Sequence, residues 1–312
     1  MSRLVLSKSE IISAIEGQSA QSRAQVSACY MSWMKGIVTD PKWILIPMDD
    51  HMVHRGDGVF EAIKFVNKKP YLLESHIERL KNSARQLSFQ AAAHFENIEE
   101  LVKETLEVSG LDNGLIRIFL SRGSGSYTTN PYDPENPELA IAVMELKPPK
   151  ASQYEEGVSI GLSKVSPKES FWAQVKSCNY LPNVMMKKEA VDLGLDYTIG
   201  VTESGELTES STENLILVDS HGLLCRPKKD RILRGCTMIR AFELATENRV
   251  AETFEKALTV QDLIGAREVM MVGTTLDVLP VTKFEGKKIG SGHVGPVAQK
   301  LLKLIKLDQT SN

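Results

Sequence analysis

A short segment rich in proline and lysine, residues 145–152, interrupts the apolar periodicity near the middle of the chain. Segments of this composition are typical of linkers between domains. The chain has 312 residues, which is more than one small core needs and fits two domains or one large domain. We therefore predict an N-terminal domain over residues 1–147 and a C-terminal domain over 148–312, with a ligand pocket where they meet.

The composition is that of an ordinary globular protein, with 42% hydrophobic residues, 25% charged residues and a net charge of −3. Basic residues are scattered, so a nucleic-acid partner is not expected. The sequence has no apolar run of membrane-spanning length and no secretory signal at its start, so no membrane partner is expected either. The four cysteines are far apart, which argues against a zinc site and a disulfide framework and favours a reducing cytoplasm. No metal site is predicted.

In the first half of the chain, alternating and stripe-like apolar patterns predict both strands and helices. The turn Gly56-Asp57-Gly58 precedes a strand rather than a helix, so we interpret it as a hairpin turn and not as a phosphate loop. The predicted elements are a helix over about 7–24 that opens with a capping box, strands at 29–34, 43–47, 59–66, 71–73, 115–121 and 139–144, and helices over 75–87 and from 97 onward.

In the second half, the same patterns predict strands at 158–162, 197–200, 215–218 and 268–275, and helices over 184–190, 238–245 and 298–307. Gly235 stands just before the helix that begins near residue 238. A helix start with glycine in front presents free backbone N–H groups and the positive end of the helix dipole. This arrangement favours a phosphate, although an ordinary strand-to-helix turn has the same sequence.

Lys176 lies among small, polar and aromatic residues, including Ser177, Asn179 and Tyr180, with no second basic residue before Lys187. A lysine that forms a Schiff base needs a partly desolvated site in which its amine is neutral near pH 7. This neighbourhood suits such a lysine. On spacing alone, a solvated surface lysine in a loop is the commoner alternative.

Residues 176–183 (Lys-Ser-Cys-Asn-Tyr-Leu-Pro-Asn), followed by Glu189-Ala190 and by Thr-Glu-Ser-Ser-Thr-Glu-Asn at 208–214, together resemble the class IV pyridoxal-phosphate aminotransferases. That family includes D-amino acid aminotransferases, branched-chain aminotransferases and aminodeoxychorismate lyases. The resemblance spans about residues 30–307. It implies the two-domain fold type IV of mixed α/β and α+β character, with a smaller N-terminal α/β sandwich and a larger C-terminal pseudo-barrel domain.

The resemblance implies that Lys176 holds pyridoxal 5′-phosphate and acts as the general base. It also gives roles to residues that the pattern alone would leave on the surface. Arg79, otherwise an exposed helix residue, would grip the cofactor phosphate, and a guanidinium fork suits a dianion. Glu209, otherwise a surface carboxylate, would pair with the pyridine nitrogen. The remaining implied contacts are Tyr180 to the phenolic oxygen, Leu233 under the ring, and Gly235, Cys236, Thr237 and Thr274 around the phosphate.

For the substrate, the resemblance implies a pocket lined by the strand that carries Phe60, Ala62 and Lys64, with Lys64 holding a carboxylate. A solvated edge lysine is the competing interpretation. Arg122 and Thr275 are the other implied substrate residues. The loop that begins at Arg122 has no histidine, so it lacks the Arg-x-His pair common in D-amino acid aminotransferases, and its Arg-Gly-Ser-Gly opening is similar to the lyase branch.

The predicted function is therefore transfer of an amino group between an amino acid and a 2-oxo acid. A D-amino acid such as D-alanine is favoured, and a branched-chain L-amino acid is possible. The alternative is a lyase that releases 4-aminobenzoate and pyruvate from aminodeoxychorismate. A third hypothesis is a cofactor-binding protein without turnover, or a plain structural domain. From the family we also expect a homodimer in which the loop 122–132 reaches the neighbouring subunit's site.

Overall fold

A computed structural model describes residues 5–17 and 25–311 of the chain. The chain divides into two compact units. Unit 1 contains Met1–Pro70 and Ser88–Leu146, and unit 2 contains Tyr71–Leu87 and Lys147–Asn312. The segment Tyr71–Leu87 thus groups with the second half of the chain, whereas the sequence placed it in the N-terminal domain.

The helices and strands of the described residues alternate along the chain. The helices are α1 (Lys8–Glu16), α2 (His51–Arg55), α3 (Leu73–Gln86), α4 (Ala92–Glu96), α5 (Ile98–Ser109), α6 (Ala151–Glu156), α7 (Ser170–Gln174), α8 (Leu181–Asp192), α9 (Cys236–Glu247), α10 (Val260–Ile264) and α11 (Pro296–Ser311). The strands are β1 (Val26–Met31), β2 (Gly36–Val38), β3 (Gly58–Val66), β4 (Lys69–Pro70), β5 (Gly114–Ser121), β6 (Glu138–Met144), β7 (Val158–Leu162), β8 (Tyr197–Ile199), β9 (Asn214–Val218), β10 (Leu224–Arg226), β11 (Thr253–Glu255), β12 (Glu268–Gly273), β13 (Asp277–Phe284) and β14 (Lys287–Lys288).

Unit 1 is built on an antiparallel sheet of six strands in the order β2-β1-β6-β5-β3-β4. One face carries fully buried side chains from the central strands, among them Ile63, Ile116 and Ile141. Helix α5 packs against β1 and β6 and buries Val102 and Leu106. A helix layer on an antiparallel sheet is the predicted N-terminal α/β arrangement.

Three sequence predictions in unit 1 differ from the structure. The helix predicted over about 7–24 begins as α1, with the predicted capping box of Ser7 and Glu10. Residues 18–24 of the predicted range lie outside the described residues. The predicted strand at 43–47 is wrong, because Asp40 caps a short 3₁₀ helix over Pro41–Trp43 and the chain then continues without regular structure. The strand predicted at 29–34 ends at Met31 in β1 and turns into a second 3₁₀ helix, Ser32–Met34.

The segment before β3 is a short helix, not the hairpin turn that we predicted. The Asp50 side chain accepts a hydrogen bond from the Met52 N–H over 2.7 Å and caps the start of α2. Gly56 ends α2 in the left-handed conformation with φ of 66°, which glycine adopts without steric cost. The α2 helix therefore precedes the strand that was predicted to line the substrate pocket.

Unit 2 contains a mixed sheet that curls into a half-barrel. Its strands follow the order β11-β10-β9-β12-β13-β7-β8, with β14 paired to β13. The pairs β10–β11, β13–β7 and β7–β8 are parallel, and the pairs β10–β9, β12–β9 and β12–β13 are antiparallel. This sheet is the larger C-terminal pseudo-barrel domain that the resemblance implied.

The half-barrel sheet is buried on both faces. In β9, Leu215 and Leu217 point into one apolar cluster, and Ile216 and Val218 point into a second cluster together with residues of α9 and α11. Successive side chains of a strand point to opposite faces, so the apolar run Leu215–Val218 needs apolar cover on both sides. Helices α9 and α11 provide that cover on one side.

Helix α3 lies within unit 2 and is joined to the second half of the chain by a polar contact. Ile77, Leu80 and Ala84 are buried. The Ser83 hydroxyl accepts a hydrogen bond from the Lys176 backbone N–H over 3.2 Å. The predicted strand at 71–73 is wrong, because Leu72 adopts a left-handed conformation with φ of 56° and leads directly into α3.

Among the described residues, no helix combines the length and the apolar character needed to cross a membrane.

Candidate active site

One cleft in unit 2, with about 430 Å³ of empty space that includes part of the open solvent, is lined by all nine residues predicted to contact a cofactor. They come from five separate parts of the sequence. The lining includes Arg79 from α3, Lys176 and Tyr180 from the segment before α8, Glu209 from the loop before β9, Leu233, Gly235, Cys236 and Thr237 from the start of α9, and Thr274 after β12.

Lys176 lies between α7 and α8 and is 9% exposed. Its backbone is fixed to α3 by the hydrogen bond to Ser83. Its Nζ lies 5.9 Å from the centre of the Tyr180 ring. A buried lysine that faces a cleft is the kind of amine that can act as a nucleophile or base. Its burial also excludes the alternative of a solvated surface lysine in a loop.

Glu209 is held by a small network at one wall of the cleft. Its Oε2 accepts hydrogen bonds from the Leu233 N–H over 3.0 Å and from the Asn214 side-chain amide over 3.1 Å. The same Asn214 nitrogen also donates to the Leu233 carbonyl over 2.9 Å. Glu209 and Asn214 are moreover joined by an antiparallel bridge. The carboxylate is therefore fixed in position before any ligand arrives.

The electrostatic environment of Glu209 is unusual for a carboxylate. Removal from water raises its pKa from 4.5 to about 7, although the hydrogen bond from Leu233 and the charges of Lys176, Lys168 and Arg79 act in the opposite direction. A carboxylate in such a site gains from a cationic partner, because the partner restores the stabilisation that water would have supplied. Protonated nitrogen in a ligand ring is one such partner.

The start of α9 also lines the cleft. Gly235 is the N-cap residue, and Cys236 and Thr237 are buried in the first turn. A Cβ on Gly235 would lie 2.1 Å from Asn214 Oδ1, so only glycine fits here against the residue that holds Glu209. The free N–H groups of a 12-residue helix and the Thr274 side chain can together bind an anion.

Arg79 adds a cationic side chain to the lining of the cleft. Its Nη1 donates to the Arg234 carbonyl over 3.0 Å, and its Nη2 lies 3.4 Å from His76 Nδ1. These contacts orient the guanidinium at the cleft wall, and its planar donor fork suits two oxygens of one anion.

The predicted substrate residues of β3 share one face of the unit 1 sheet. Phe60, Ala62 and Lys64 alternate with the fully buried Val59 and Ile63. On the neighbouring strand β5, Phe119 stands opposite Phe60, and their rings stack with centres 6.1 Å apart.

Arg117 stands opposite Ala62 in the same register and lies on the same face, where the sequence had not singled it out. Lys64 and Arg117 give this face two cations. Two cations beside one small residue suit an anionic substrate.

Arg122 forms a side-chain pair within unit 1. Its Nε and Nη2 donate to the two carboxylate oxygens of Asp57, each over 3.0 Å. Its guanidinium carbon also lies 4.1 Å from the centre of the Phe89 ring. The pair fixes the start of the loop 122–132 to the turn before β3, and the substrate role of Arg122 stays a prediction.

Two polar residues near the cleft had no sequence signal. Ser83 orients Lys176 from a helix that precedes it by 93 residues, and Lys168 lies with its Nζ 4.5 Å from the centre of the Tyr180 ring. Both depend on contacts between distant parts of the chain, which spacing cannot reveal. Thr275, predicted to contact substrate, is not part of the cleft lining, although its neighbour Thr274 is.

Comparison with known proteins agrees with this geometry. The family model "Amino-transferase class IV" matches residues 58–284. The "D-amino-acid transaminase, chloroplastic" of Arabidopsis thaliana is 34% identical over 94% of this chain and 79% of its own length. The "Putative branched-chain-amino-acid aminotransferase" of Methanocaldococcus jannaschii is 29% identical over 88% of this chain and 94% of its own.

Among solved structures, a T.th. branched-chain amino acid aminotransferase with pyridoxamine 5′-phosphate superposes with a TM-score of 0.86 at 26% identity. The match covers 92% of this chain and 96% of that one. The residues matched by the family model include all nine that were predicted to contact the cofactor. With this match and a relative above 30% identity over nearly the whole chain, the protein belongs to the class IV aminotransferases and is a transaminase.

Proposed function

We propose that this transaminase uses pyridoxal 5′-phosphate to move an amino group between a D-amino acid, such as D-alanine, and a 2-oxo acid. The convergence of Lys176, Glu209 and Arg79 on one cleft carries the proposal. An amine, a carboxylate and a guanidinium are the groups that the aldehyde, the ring nitrogen and the phosphate of this cofactor require.

The residues of the cleft fit the cofactor at both ends. Arg79, Thr274 and the first N–H groups of α9 would hold the phosphate, since a buried dianion without a cation is costly. Glu209 would hold the ring nitrogen in its protonated form, and Asn214 keeps the carboxylate aimed at it. Tyr180 would donate to the phenolic oxygen, and Leu233 would pack under the ring.

When bound, the cofactor supplies an electron sink for the negative charge that develops at the substrate Cα. The protein moves the proton. The Lys176 amine would take the proton from the substrate Cα as general base and return it on the cofactor side. The charged Glu209 would strengthen the electron sink by keeping the ring nitrogen protonated.

Two substrate classes have support. The 34% identity to a protein named as a D-amino-acid transaminase favours D-amino acids. The likeness to a branched-chain amino acid aminotransferase over 92% of this chain favours branched-chain L-amino acids as a second candidate. In either case the cations Lys64 and Arg117 of the β3–β5 face would bind the carboxylates of the amino acid and the 2-oxo acid.

We propose a homodimer, supported by an exposed apolar stripe on α8. Leu181, Val184 and Val191 are each more than half exposed, and Met185 is 43% exposed. Their spacing puts them on one side of the helix, opposite the buried Asn183, Met186 and Ala190. Exposed apolar stripes of this kind mark contact surfaces, and a second copy of this chain is the occupant we propose.

We also propose a reducing compartment, and the cytoplasm in particular. Among the described residues, none of Cys29, Cys178, Cys225 and Cys236 forms a disulfide, and unoxidised cysteines persist where glutathione and thioredoxin keep them reduced.

The test is a half-reaction with the purified enzyme and bound pyridoxal phosphate. D-Alanine, D-glutamate, L-leucine and L-glutamate are added separately, and pyridoxamine phosphate is measured by chromatography after denaturation. Conversion by the D-compounds alone supports the D-amino acid proposal, and conversion by L-leucine and L-glutamate supports the branched-chain candidate. If none is converted, pyruvate release from aminodeoxychorismate tests the lyase alternative. Lys176→Ala is expected to abolish conversion, and turnover in that variant would contradict the role of Lys176.

A further inference from the structure

A second, smaller cavity lies behind Glu209 in unit 2. Glu209 and Ser210 line both this cavity and the cofactor cleft, whereas Lys176 lines only the cleft and Lys168 lines only the cavity. The other polar lining residues of the small cavity include Asn183, Thr208 and Arg231. The carboxylate that is proposed to hold the ring nitrogen therefore separates two chambers.

Three oxygens of residues that line this cavity are buried without a partner. Asn183, Thr208 and Ser210 are 9%, 1% and 2% exposed. Among the described residues, Asn183 Oδ1, Thr208 Oγ1 and Ser210 Oγ find no hydrogen-bond partner. Buried polar atoms in folded proteins are nearly always satisfied by protein or by bound water. Three such atoms around one small space therefore point to a ligand in that space.

The size of the cavity indicates which ligand fits. The space open to water inside it is about 20 Å³, and about 10–15 Å³ is enough to hold one water molecule. A metal cation is disfavoured because the side chains of Lys168 and Arg231 line the same space. One water with two to four polar neighbours satisfies the unpaired oxygens.

Lys168 connects this cavity with the cofactor cleft. Its Nζ lies over the Tyr180 ring at 4.5 Å from the ring centre, which is within the range of a favourable cation–π contact. Burial lowers the pKa of Lys168, and the charge of Glu209 opposes that change. The charge of Arg231 on the same cavity is balanced by Glu206, whose Oε2 lies 3.4 Å from Arg231 Nε. Lys168 is therefore the cation of this cavity that is left to act on Glu209.

We propose that Lys168 is a positioning residue for Glu209 and Tyr180, and that it acts through a water molecule bound by Asn183, Thr208 and Ser210. Its ammonium group keeps the Glu209 carboxylate charged from the side opposite the cofactor. It also holds the Tyr180 ring, whose hydroxyl is proposed to contact the cofactor. The inference rests on the proposed role of Glu209 toward the ring nitrogen.

The first test follows the Glu209 carboxyl in the apoprotein, without turnover. Protein labelled with ¹³C at the glutamate side-chain carboxyl is titrated by NMR, and the Glu209→Gln variant assigns the signal. Lys168→Met removes the charge at similar length and is expected to raise the titration midpoint by about one pH unit, a tenfold change in the ionisation constant. Lys168→Arg is expected to restore it. Lys164→Met, an exposed lysine of the same segment, is the matched control and is expected to change nothing.

The second test concerns the water and the cofactor. Thr208→Val keeps the side-chain shape and removes one of the three oxygens, so it is expected to raise the same midpoint by a smaller amount. It tests the coupling independently if Lys168→Met does not fold, as judged by circular dichroism. A crystal structure of the holoenzyme is expected to show a water bonded to at least two of the three oxygens. Lys168→Met is expected to weaken pyridoxal phosphate binding about tenfold, and Lys168→Arg to restore it.

An unchanged midpoint in both Lys168→Met and Thr208→Val overturns the inference, as does a cavity that holds no water in the crystal. The two proposals fail separately. If the midpoint moves but no amino acid is converted, the proposed function is wrong and the coupling of Lys168 to Glu209 stands. If amino acids are converted and the midpoint stays, only the role of Lys168 is wrong.

Discussion

Asn214 donates from its side-chain amide to Glu209 Oε2 over 3.1 Å. Its Oδ1 lies so close to Gly235 that a Cβ added to this glycine would be only 2.1 Å away. One asparagine thus connects the Glu209 carboxylate with the start of α9. A change at either end is transmitted to the opposite end.

Gly235→Ala is expected to lower the affinity for pyridoxal phosphate at least tenfold. The backbone of Gly235, with φ of −64°, accepts alanine, so the cost comes from displacing Asn214 and with it Glu209. Adding Asn214→Ala removes the obstructing atom. We expect the double variant to bind the cofactor no more weakly than Asn214→Ala alone, because the two effects share one cause. Equilibrium titration of the apoproteins measures this, and additive losses would show that the two residues act independently.

Glu209→Gln is expected to stabilise the apoprotein at alkaline pH. Burial raises the Glu209 pKa to about 7, so the folded state holds this proton more tightly than the unfolded state. The resulting stabilisation is complete below the unfolded pKa of 4.5 and is lost as the pH rises through about 7. Both donors to Glu209 reach the same oxygen, so the glutamine carbonyl can replace it.

Urea unfolding from about pH 5 to about pH 9 measures this difference. The free energy of unfolding of Glu209→Gln is expected to be higher than that of the wild type by on the order of 2–3 kcal/mol at the alkaline end. At the acidic end the two free energies are expected to be equal. A difference that does not change with pH would mean that Glu209 is charged throughout the range.

Arg79→Lys is expected to raise the dissociation constant of pyridoxal phosphate about tenfold or more. Lysine keeps the charge but cannot present two parallel donors to the phosphate, and one lost charge-assisted hydrogen bond is worth ~1.5–3 kcal/mol. Fluorescence titration of the apoprotein provides the measurement. Arg85→Lys on the exposed side of the same helix is the control. Equal affinities for wild type and Arg79→Lys would place the phosphate elsewhere.

Asp57→Asn and Arg122→Leu are expected to lower the free energy of unfolding by similar amounts, ~1–3 kcal/mol. Their side chains are 22% and 12% exposed and form two hydrogen bonds of 3.0 Å, so either change takes the opposite charge away from a largely buried side chain. The double variant is expected to lose no more than about the larger single loss. Arg85→Leu, which removes an exposed pair with Glu78 at 3.9 Å, is expected to have little effect. If Arg122→Leu instead raises KM while Asp57→Asn behaves as wild type, Arg122 binds substrate as the resemblance implies.

The sequence was sufficient for the family, the fold type and the residues that meet in the cleft. Those residues lie at the ends of strands and helices with strong patterns, such as β9, β12 and α9, so their order along the chain was enough to predict that they meet. Short elements were harder to predict from the sequence. Helix α2 has only five residues and cannot show a helical period, although Asp50 and Gly56 do carry cap signals that predict its two ends.

The contributions of Lys168 and Ser83 could not be predicted from the sequence for a different reason. Each acts on a residue of the cleft that is brought to it only by the tertiary fold. Neither residue belongs to a motif with fixed spacing. The same holds for Arg117, which gains significance only from the register that sets it opposite Ala62.

Unit 2 is discontinuous in the sequence, since Tyr71–Leu87 precedes residues 88–146 of unit 1 and the remainder begins at Lys147. During synthesis on the ribosome, every strand of the unit 1 sheet is available once Met144 has emerged. Helix α3 has emerged by then as well, but Lys176, whose backbone N–H bonds to the Ser83 hydroxyl of α3, has not. Arg79 is made early and Thr274 late, so the proposed cofactor site cannot form before Thr274 has emerged.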